Sequence, residues 1–257
     1  MLAIVDTHAH LDELENLEIS VSNARKSGVF AIIAVGSNHE SNQKVIHIAD
    51  SHSDLVYPAL GLHPWALSNL DSVAIDITLK FIEKQISRIA AIGEIGLDYD
   101  KRAVKAASKE LQKDVLKRLL FLARQYGKPI SIHSRYAWKD TLDMVRDAGM
   151  EKAVFHWFTG FSSVLKEILE AGYFISATPA AEYHEEHRRA IRETPVDRLL
   201  LETDCPVTYG KENKYRSQPA DIIRSLKASA GLKGMEESVL AQQTTHNAIR
   251  LFGLRAP

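Results

Sequence analysis

The sequence predicts an α/β fold, a closed (β/α)8 barrel of the TIM type, that forms one domain over residues 1–257. Short apolar segments alternate with longer amphipathic ones along the whole chain, and no linker rich in Pro, Gly or Ser interrupts them. Polar residues recur at the ends of the apolar segments. An open, doubly wound sheet is the alternative, but it concentrates its ligands at one switch point. We therefore favour the closed barrel.

The strand candidates are eight short segments rich in Val, Ile and Leu. Several lack polar alternation, as expected when helices cover both faces of a parallel sheet. The candidates are Leu2–Asp6, Val29–Val35, Leu55–Leu62, Ile89–Ile95, Pro129–His133, Lys152–His156, Tyr173–Ala177 and Arg198–Glu202.

Helical segments lie between these strands. The clearest is Ser108–Tyr126, whose apolar residues fall on one stripe at helical spacing. A further helix from about Glu236 to Leu251 is expected to pack outside the barrel as an addition. Helix ends are indicated by glycines that follow a helical pattern and precede a strand. These glycines are Gly28, Gly127, Gly149 and Gly172.

Composition limits the classes of function. The chain has 32 basic and 33 acidic residues, which excludes a broadly basic coat for nucleic acid but allows a local basic rim. Cys205 is the only cysteine, so an intramolecular disulfide and a cysteine-based zinc site are excluded. The N-terminal apolar run is too short for a signal peptide, and no segment has the apolar length of a membrane span. We expect a cytoplasmic protein with no membrane interaction and no obligate protein partner.

The first strand leads into a His-x-His pair, formed by His8 and His10. Side chains two residues apart in an extended chain point the same way, so both imidazoles can bind one cation. Such a pair is a weak signal by itself, because histidines also serve structural roles. Its position at the carboxyl end of a barrel strand, where active sites of this fold lie, favours metal binding.

Three other strands end in a residue that can bind a metal. Glu94 follows a buried apolar segment, where an ionised carboxylate without a partner costs on the order of several kcal/mol. A salt bridge is the alternative, but histidines at other strand ends make Glu94 a better candidate for a bridging metal ligand. His133 and His156 each end an apolar segment. Either alone would be interpreted as a core histidine, whereas two on successive strands favour metal ligation.

The eighth strand leads into a second pair of carboxylates. Asp204 is placed to bind a cation and to accept the proton of an attacking water, so Asp204 and Glu94 are the predicted catalytic residues. Glu202 is better suited to orient neighbouring ligands than to bind the metal itself. Cys205 is disfavoured as a nucleophile, because no dedicated His–Asn pair accompanies it.

Two residues are candidates for substrate binding. His63 ends the third strand. Arg135 lies two residues past His133, so its guanidinium can point into the same opening of the barrel as His133 and can bind a phosphate through two hydrogen bonds. A structural role for His63 and a salt bridge at the barrel rim for Arg135 remain open. Three tryptophans that follow strand ends either stack on nucleic-acid bases or pack beneath the loops. They are Trp65, Trp138 and Trp157.

Together these segments resemble the TatD family of metal-dependent deoxyribonucleases, within the amidohydrolase-like barrels, over essentially the whole chain. The matching segments are Asp6–Asp12, Gly61–Pro64, Gly93–Tyr99, His133–Arg135, His156–Gly160 and Glu202–Pro206. The resemblance implies hydrolysis of phosphodiester bonds in DNA, with Mg²⁺ as the usual activator. The implied ligands are His8, His10, Glu94 and Asp204 for one cation, and Glu94, His133 and His156 for the second.

Three positions depart from the commoner family pattern and are expected to affect substrate contacts. Trp65 stands where another histidine is frequent, Tyr136 where an acidic residue is frequent, and Tyr209 where an arginine is often found. The imidazoles favour a transition metal, whereas the family suggests Mg²⁺, so we expect two divalent cations that are Mg, Mn or Zn. Hydrolysis of an amide, ester or lactone by the same metal centre is the alternative function.

Overall fold

The computed structural model describes residues 3–68 and 70–256. Eight parallel strands, named β1 to β8, are hydrogen-bonded in chain order into one sheet. A short antiparallel ribbon of two further strands, β9 and β10, follows in the loop after β8. The strands are Ile4–Ala9, Val29–Val35, Val56–Leu60, Ala91–Asp98, Ile130–Arg135, Ala153–Phe155, Phe174–Ala177, Leu199–Leu201, Thr208–Tyr209 and Tyr215–Arg216.

Helices connect each barrel strand to the next, and two more helices follow β8. We name them α1 to α10 in chain order. They are Leu17–Lys26, His39–Ser51, Ser72–Lys84, Lys101–Ala106, Lys109–Gln125, Trp138–Asp147, Ser162–Glu170, Glu185–Glu193, Ile222–Lys233 and Glu237–Phe252. Within residues 3–68 and 70–256, no helix combines the length and the apolar character needed to cross a membrane.

The barrel closes between its first and last strands. A parallel bridge joins Ala9 to Cys205. The His10 N–H donates to the Cys205 carbonyl at 2.8 Å, and the Asp204 N–H donates to the His8 carbonyl at 2.9 Å. The prediction of a closed (β/α)8 barrel is therefore confirmed. Closure takes place at the same residues that were predicted to bind metal, so the backbone itself holds the two ends of the sequence together there.

All eight predicted strands are present, and the largest differences are at their carboxyl ends. The first was expected to end at Asp6 and continues to Ala9, while the fourth was expected to end at Ile95 and continues to Asp98. The expected ends lie too early, because backbone pairing does not depend on which side chains follow. The ligand positions lie within strands or in the segments that follow them. Leu2, the expected start of the first strand, is outside the described residues.

The predicted helix signals are also confirmed. The helix expected over Ser108–Tyr126 is α5, and the Ser108 hydroxyl accepts a hydrogen bond from the Leu111 N–H at 3.3 Å as an N-cap. The four glycines predicted to end helices all have positive φ, a conformation that glycine adopts without a steric penalty.

The interior of the barrel explains where the site can form. A cluster of small and medium apolar side chains includes Ala59, Val154 and Leu200. These residues are an even number of positions before the polar residues that follow the same strands, so both sets of side chains face the barrel interior. Leu251 and Phe252 of α10 join this cluster. The C-terminal helix, expected outside the barrel as an addition, thus covers the amino ends of the strands. The polar residues are left at the opposite, carboxyl end.

Candidate metal centre

The carboxylate of Glu94 lies at the centre of the residues that sequence reasoning selected. Its Oε1 is 2.8 Å from His156 Nε2 and 3.0 Å from His133 Nδ1. His63 Nε2 lies 3.4 Å from the same oxygen. His63, predicted as a substrate-binding residue, thus lies beside the candidate metal ligands, and its role in substrate binding stays a prediction.

The second carboxylate oxygen of Glu94 faces the His-x-His pair. Its Oε2 lies 3.5 Å from His8 Nε2 and 3.4 Å from His10 Nε2. Asp204 Oδ1 completes this side of the cluster at 3.6 and 3.5 Å from the same two nitrogens. All six residues predicted to bind metal therefore converge, although they come from five different strands or the loops that follow them.

Two glycines allow the strands around Glu94 to approach closely. A Cβ built on Gly61 would lie 2.3 Å from the Glu94 carbonyl oxygen. A Cβ built on Gly96 would lie 1.8 Å from the His133 carbonyl oxygen, and the φ of Gly96 is +153°. No larger residue fits either position without moving backbone, so these glycines set the spacing between Glu94, His63 and His133.

Left-handed backbone outside glycine is confined, within the described residues, to three positions at this end of the barrel. Tyr136, Trp157 and Asp204 have φ values of 56°, 40° and 48°. Each costs on the order of 1–2 kcal/mol relative to ordinary backbone. Each also directly follows a polar residue, and all three line the same pocket. Strain concentrated in this way is typical of functional sites, where the surrounding structure offsets it.

Hydrogen bonds from residues around the cluster fix the imidazole rings. His133 Nε2 is 3.0 Å from Asp98 Oδ2, which also accepts a 2.6 Å hydrogen bond from the Trp65 indole N–H. His8 Nδ1 lies 3.1 Å from the Ser131 hydroxyl. Sequence reasoning missed Asp98, Ser131 and this role of Trp65. The available signal was the even spacing of Asp98 from Glu94, which places both side chains on one face of β4.

Carboxylates next to the cluster hold its last segment. Glu202 Oε1 accepts a hydrogen bond from the Trp157 N–H at 3.0 Å and lies 3.5 Å from His156 Nδ1. Asp6 accepts hydrogen bonds from the Thr203 N–H at 2.9 Å and the Thr203 hydroxyl at 2.6 Å. These contacts place Asp204, the next residue, against the histidines.

The charges of the cluster are strongly coupled. Burial favours the neutral acid at Glu94, but the imidazoles of His63 and His156 and hydrogen bonds from His10 hold the pKa of Glu94 well below its usual range. Asp204 is also buried, and a hydrogen bond from His10 nevertheless lowers its pKa. Burial lowers the pKa of His10, but the hydrogen bonds that its ring donates to the carboxylates of Asp204 and Glu94 outweigh it and raise that pKa well above the usual value. Both carboxylates are thus ionised, and the surrounding imidazoles supply the positive charge that offsets them.

The donor set fits divalent cations. His8 Nε2 is buried and has no hydrogen-bond partner among residues 3–68 and 70–256, as expected of an atom that binds another ligand. Imidazole nitrogens and carboxylate oxygens are the ordinary ligands of such ions. Three groups have their donor atoms within 4.8 Å of one another. They are His8, His10 and Asp204; His63, Glu94 and His133; and His8, His156 and Glu202.

A pocket of about 1290 Å³ opens above the cluster, and three arginines line it. They are Arg135, Arg189 and Arg216. Arg135 Nη2 lies 2.8 Å from Asp100 Oδ2, so the rim salt bridge left open by the sequence is present. Tyr209, expected to affect substrate contacts, is instead fully buried, and its hydroxyl donates to the Thr203 carbonyl at 2.9 Å.

A parallel barrel with a histidine and carboxylate cluster at its carboxyl end defines this protein as a barrel enzyme of the metal-dependent hydrolase class. Residues 5–253 match the family model of TatD related DNases. The chain therefore belongs to the TatD-related DNase family, which confirms the resemblance found in the sequence.

Individual relatives extend this match over almost the whole chain. The deoxyribonuclease TATDN3 of Homo sapiens is 33% identical, over 98% of this chain and 95% of its own. The uncharacterized metal-dependent hydrolase YabD of Bacillus subtilis is 32% identical, over 97% of this chain and 98% of its own. The crystal structure of YJJV, a TatD homolog from Escherichia coli, is 27% identical, covers 98% of both chains and superposes with a TM-score of 0.89.

Proposed function

We propose that this protein is a deoxyribonuclease that hydrolyses phosphodiester bonds of DNA with the help of two divalent cations. The observation that carries the proposal is the carboxylate of Glu94, which lies within 3.5 Å of five imidazoles at the base of the arginine-lined pocket. Membership of the TatD-related DNase family makes the chain a metal-dependent hydrolase. The arginines support a substrate with negative charge.

The proposed ligands form two overlapping sets that share Glu94. One set is His8, His10, Glu94 and Asp204, and the other is Glu94, His133 and His156. Two bound cations would lower the pKa of water and neutralise the charge that develops on phosphoryl oxygens. The 3.4 Å distance from His63 Nε2 to Glu94 supports a place for His63 at this centre as well.

Asp204 is proposed to accept the proton of the water that attacks phosphorus. Burial alone would favour the neutral acid, since Asp204 is only 6% exposed. Its pKa is nevertheless lowered, so the carboxylate is ionised and can accept a proton. Its left-handed backbone and the Asp6 hydrogen bonds to Thr203 fix its carboxylate toward the histidines. Glu202 positions His156 and the backbone of Trp157 and does not contact the substrate.

Arg135 is proposed to bind a substrate phosphate, which would replace the Asp100 carboxylate as the partner of its guanidinium. Its side chain is 45% exposed, and its guanidinium is paired with Asp100. An exposed pair of this kind contributes little stability, so a phosphate can displace Asp100 at small cost. The fork geometry of guanidinium suits either anion.

Charge-removing variants at the centre test the proposal. We expect Glu94→Gln and Asp204→Asn to lower metal-stimulated cleavage of single-stranded and double-stranded DNA by about a thousandfold or more, because each removes a ligand charge. Glu13→Gln is the matched control, since Glu13 lines the same pocket, its residue is exposed, and its contact with His10 is made by the backbone N–H, which the substitution keeps. Circular dichroism checks that all three variants fold. Undiminished cleavage by either centre variant refutes the assignment.

The number and identity of the cations are further parts of the proposal. Elemental analysis of the purified protein, followed by activity with added Mg²⁺, Mn²⁺ or Zn²⁺, decides between a magnesium and a transition-metal enzyme. The same preparations should be assayed on amide, ester and lactone substrates. Activity there without cleavage of DNA would replace the deoxyribonuclease proposal with the alternative hydrolase. A cytoplasmic location is also proposed, and the single free cysteine, which is buried, supports it.

A further inference from the structure

We infer that Tyr136, Trp138 and Phe161 form a platform at the mouth of the pocket on which an unpaired nucleobase of the substrate stacks. The inference rests on the proposed function and adds to it a subsite for the base beside the scissile phosphate. The three residues, here called the aromatic platform, all line the pocket. They lie in the loops, or at the start of the helices, that directly follow His133 and His156.

The rings of the platform contact one another in sequence. Tyr136 and Trp138 have ring centroids 5.8 Å apart, and Trp138 and Phe161 have centroids 5.4 Å apart. Both pairs meet edge to face, with interplanar angles of 64° and 81°. Because the rings are not stacked on one another, the outer two keep π faces available to a ligand.

Exposure distinguishes the platform from ordinary packing. Tyr136 is 61% exposed and Phe161 is 68% exposed, whereas buried aromatic rings are what stabilises a core. Among the described residues, five aromatic side chains are exposed, and three of them line this one pocket. Those three are Trp65, Tyr136 and Phe161. Such a concentration beside a charged centre indicates a binding surface.

The loop that carries Phe161 is held in place. The Arg189 guanidinium donates to the Gly160 carbonyl and to the Ser162 hydroxyl, one residue on each side of Phe161. A Cβ on Gly160 would lie 2.6 Å from the Trp138 ring, so glycine is required for the indole to lie against this loop. Arg189 is therefore a positioning residue, and the exposed ring of Phe161 is preorganised for a ligand.

Charge next to the platform explains why a nucleotide fits better than an isolated apolar group. The Arg135 guanidinium lies 5.7 Å from the centroid of the Tyr136 ring. A phosphate bound by Arg135 thus has an aromatic face beside it, and single-strand binding sites combine these two features. A base paired within a duplex has both faces covered by its neighbours, so only an unpaired base can use the platform.

Cleavage of matched oligonucleotides tests the inference. One single-stranded substrate carries normal bases, and the other carries abasic residues on both sides of the same phosphate. We expect Tyr136→Ala and Phe161→Ala each to lower kcat/KM on the normal substrate by about five- to a hundredfold, mainly through KM, since base stacking on an aromatic ring has that range. On the abasic substrate both variants should equal the wild type. Equal losses on the two substrates overturn the inference.

Two control variants separate stacking from structural effects. Tyr136→Phe keeps the ring and should restore most of the kcat/KM that Tyr136→Ala loses. Phe121→Ala removes a phenyl group that is 69% exposed on α5, nearly the same exposure as Phe161, but is not part of the pocket. It should leave cleavage of both substrates unchanged. A loss in Phe121→Ala as large as in Phe161→Ala contradicts the inference.

A binding measurement decides the question even if the protein cleaves no DNA. Single-stranded DNA with 2-aminopurine at one position is titrated with protein in EDTA, and its fluorescence is quenched when the base stacks on an aromatic ring. Quenching by the wild type that is reduced at least fivefold in Tyr136→Ala and Phe161→Ala supports the platform, whatever the catalytic activity. Absence of quenching by the wild type, or equal quenching by all variants, overturns it.

Discussion

His187 on α8 offers a quantitative test of how the structure depends on pH. It is fully buried, and its Nε2 accepts a hydrogen bond from the Thr178 N–H at 3.1 Å. Its Nδ1–H donates to the Phe158 carbonyl at 3.0 Å. Both contacts require the neutral ring with its proton on Nδ1. Protonation would direct a second N–H at the Thr178 donor and would break the link between the loops that follow β6 and β7.

Burial is the largest cause that lowers the pKa of His187, to about 4 from 6.5, and nearby His184 and His156 act in the same direction. The Phe158 carbonyl and Glu202 oppose the shift without outweighing burial. Because the folded-state pKa is the lower one, the stability is fully present above pH 6.5 and is lost as the pH falls toward 4. The total is about 3 kcal/mol, of which about 2 kcal/mol disappears between about pH 7 and about pH 5.

His187→Gln is the matched variant, because its amide oxygen can accept from Thr178 and its amide nitrogen can donate to Phe158 without titrating. The free energy of unfolding should be measured in urea from about pH 8 to about pH 5, with EDTA present for both proteins. The other histidines are common to both, so they cancel in the difference. We expect the wild type to lose about 2 kcal/mol relative to the variant over that range. A difference that does not change with pH refutes the reasoning.

Three further predictions follow from the site. Gly61→Ala should lower the free energy of unfolding by about 1–3 kcal/mol, measured in urea, and should impair cleavage, because the added Cβ would press on the Glu94 backbone. Unaltered stability and activity would contradict the close approach of Gly61 to Glu94. Asp98→Asn should weaken metal binding by about 10- to 100-fold in titrations, since it orients His133, and unchanged affinity would exclude that role. Chelation of the metal should lower the thermal midpoint of unfolding. A cation present at a hundredfold excess over its Kd stabilises the folded state by about 2.7 kcal/mol, and chelation removes that stabilisation. An unchanged midpoint would argue against a cation site in the folded protein.

The barrel could be predicted because apolar strands without polar alternation indicate a sheet covered on both faces, and polar residues that recur at strand ends favour a closed barrel over an open sheet. The carboxyl ends of the strands were harder to predict than the strands themselves. The strand β1 continues through Thr7 to Ala9, and β4 continues past Glu94 through Leu97, although polar ligands interrupt both apolar segments. Side-chain polarity carries information about burial, whereas strand length depends on which neighbour offers a hydrogen-bonding edge. That information is absent from a single segment read alone.

The metal ligands were predictable for a similar reason. The six lie in the carboxyl-side parts of strands or in the segments that follow them, and the fold brings these parts together without further information. Asp98 was missed because its role depends on the register between β4 and β5, which sets Gly96 opposite His133 and brings Asp98 to its ring. Ser131 was missed because its contact with His8 joins β5 to β1, which are not neighbours in the sheet. His63 illustrates the same limit. Its distance from Glu94 bears on whether it binds metal or substrate, and the sequence alone does not give that distance.

The three positions that the resemblance predicts to depart from the commoner family pattern have three different physical outcomes. Trp65 supplies a ring N–H to Asp98, a donor that a histidine could also supply, so its effect passes through His133 to the centre. Tyr209 is buried against Trp157, with ring centroids 5.5 Å apart, and supports the loop after β8. Tyr136 alone of the three is mostly exposed and lies at the pocket mouth without a charge of its own. Replacing an acidic residue there by an aromatic ring removes repulsion toward phosphate and adds a stacking face, so the substrate preference of this chain should differ from that of relatives with the acid at this position.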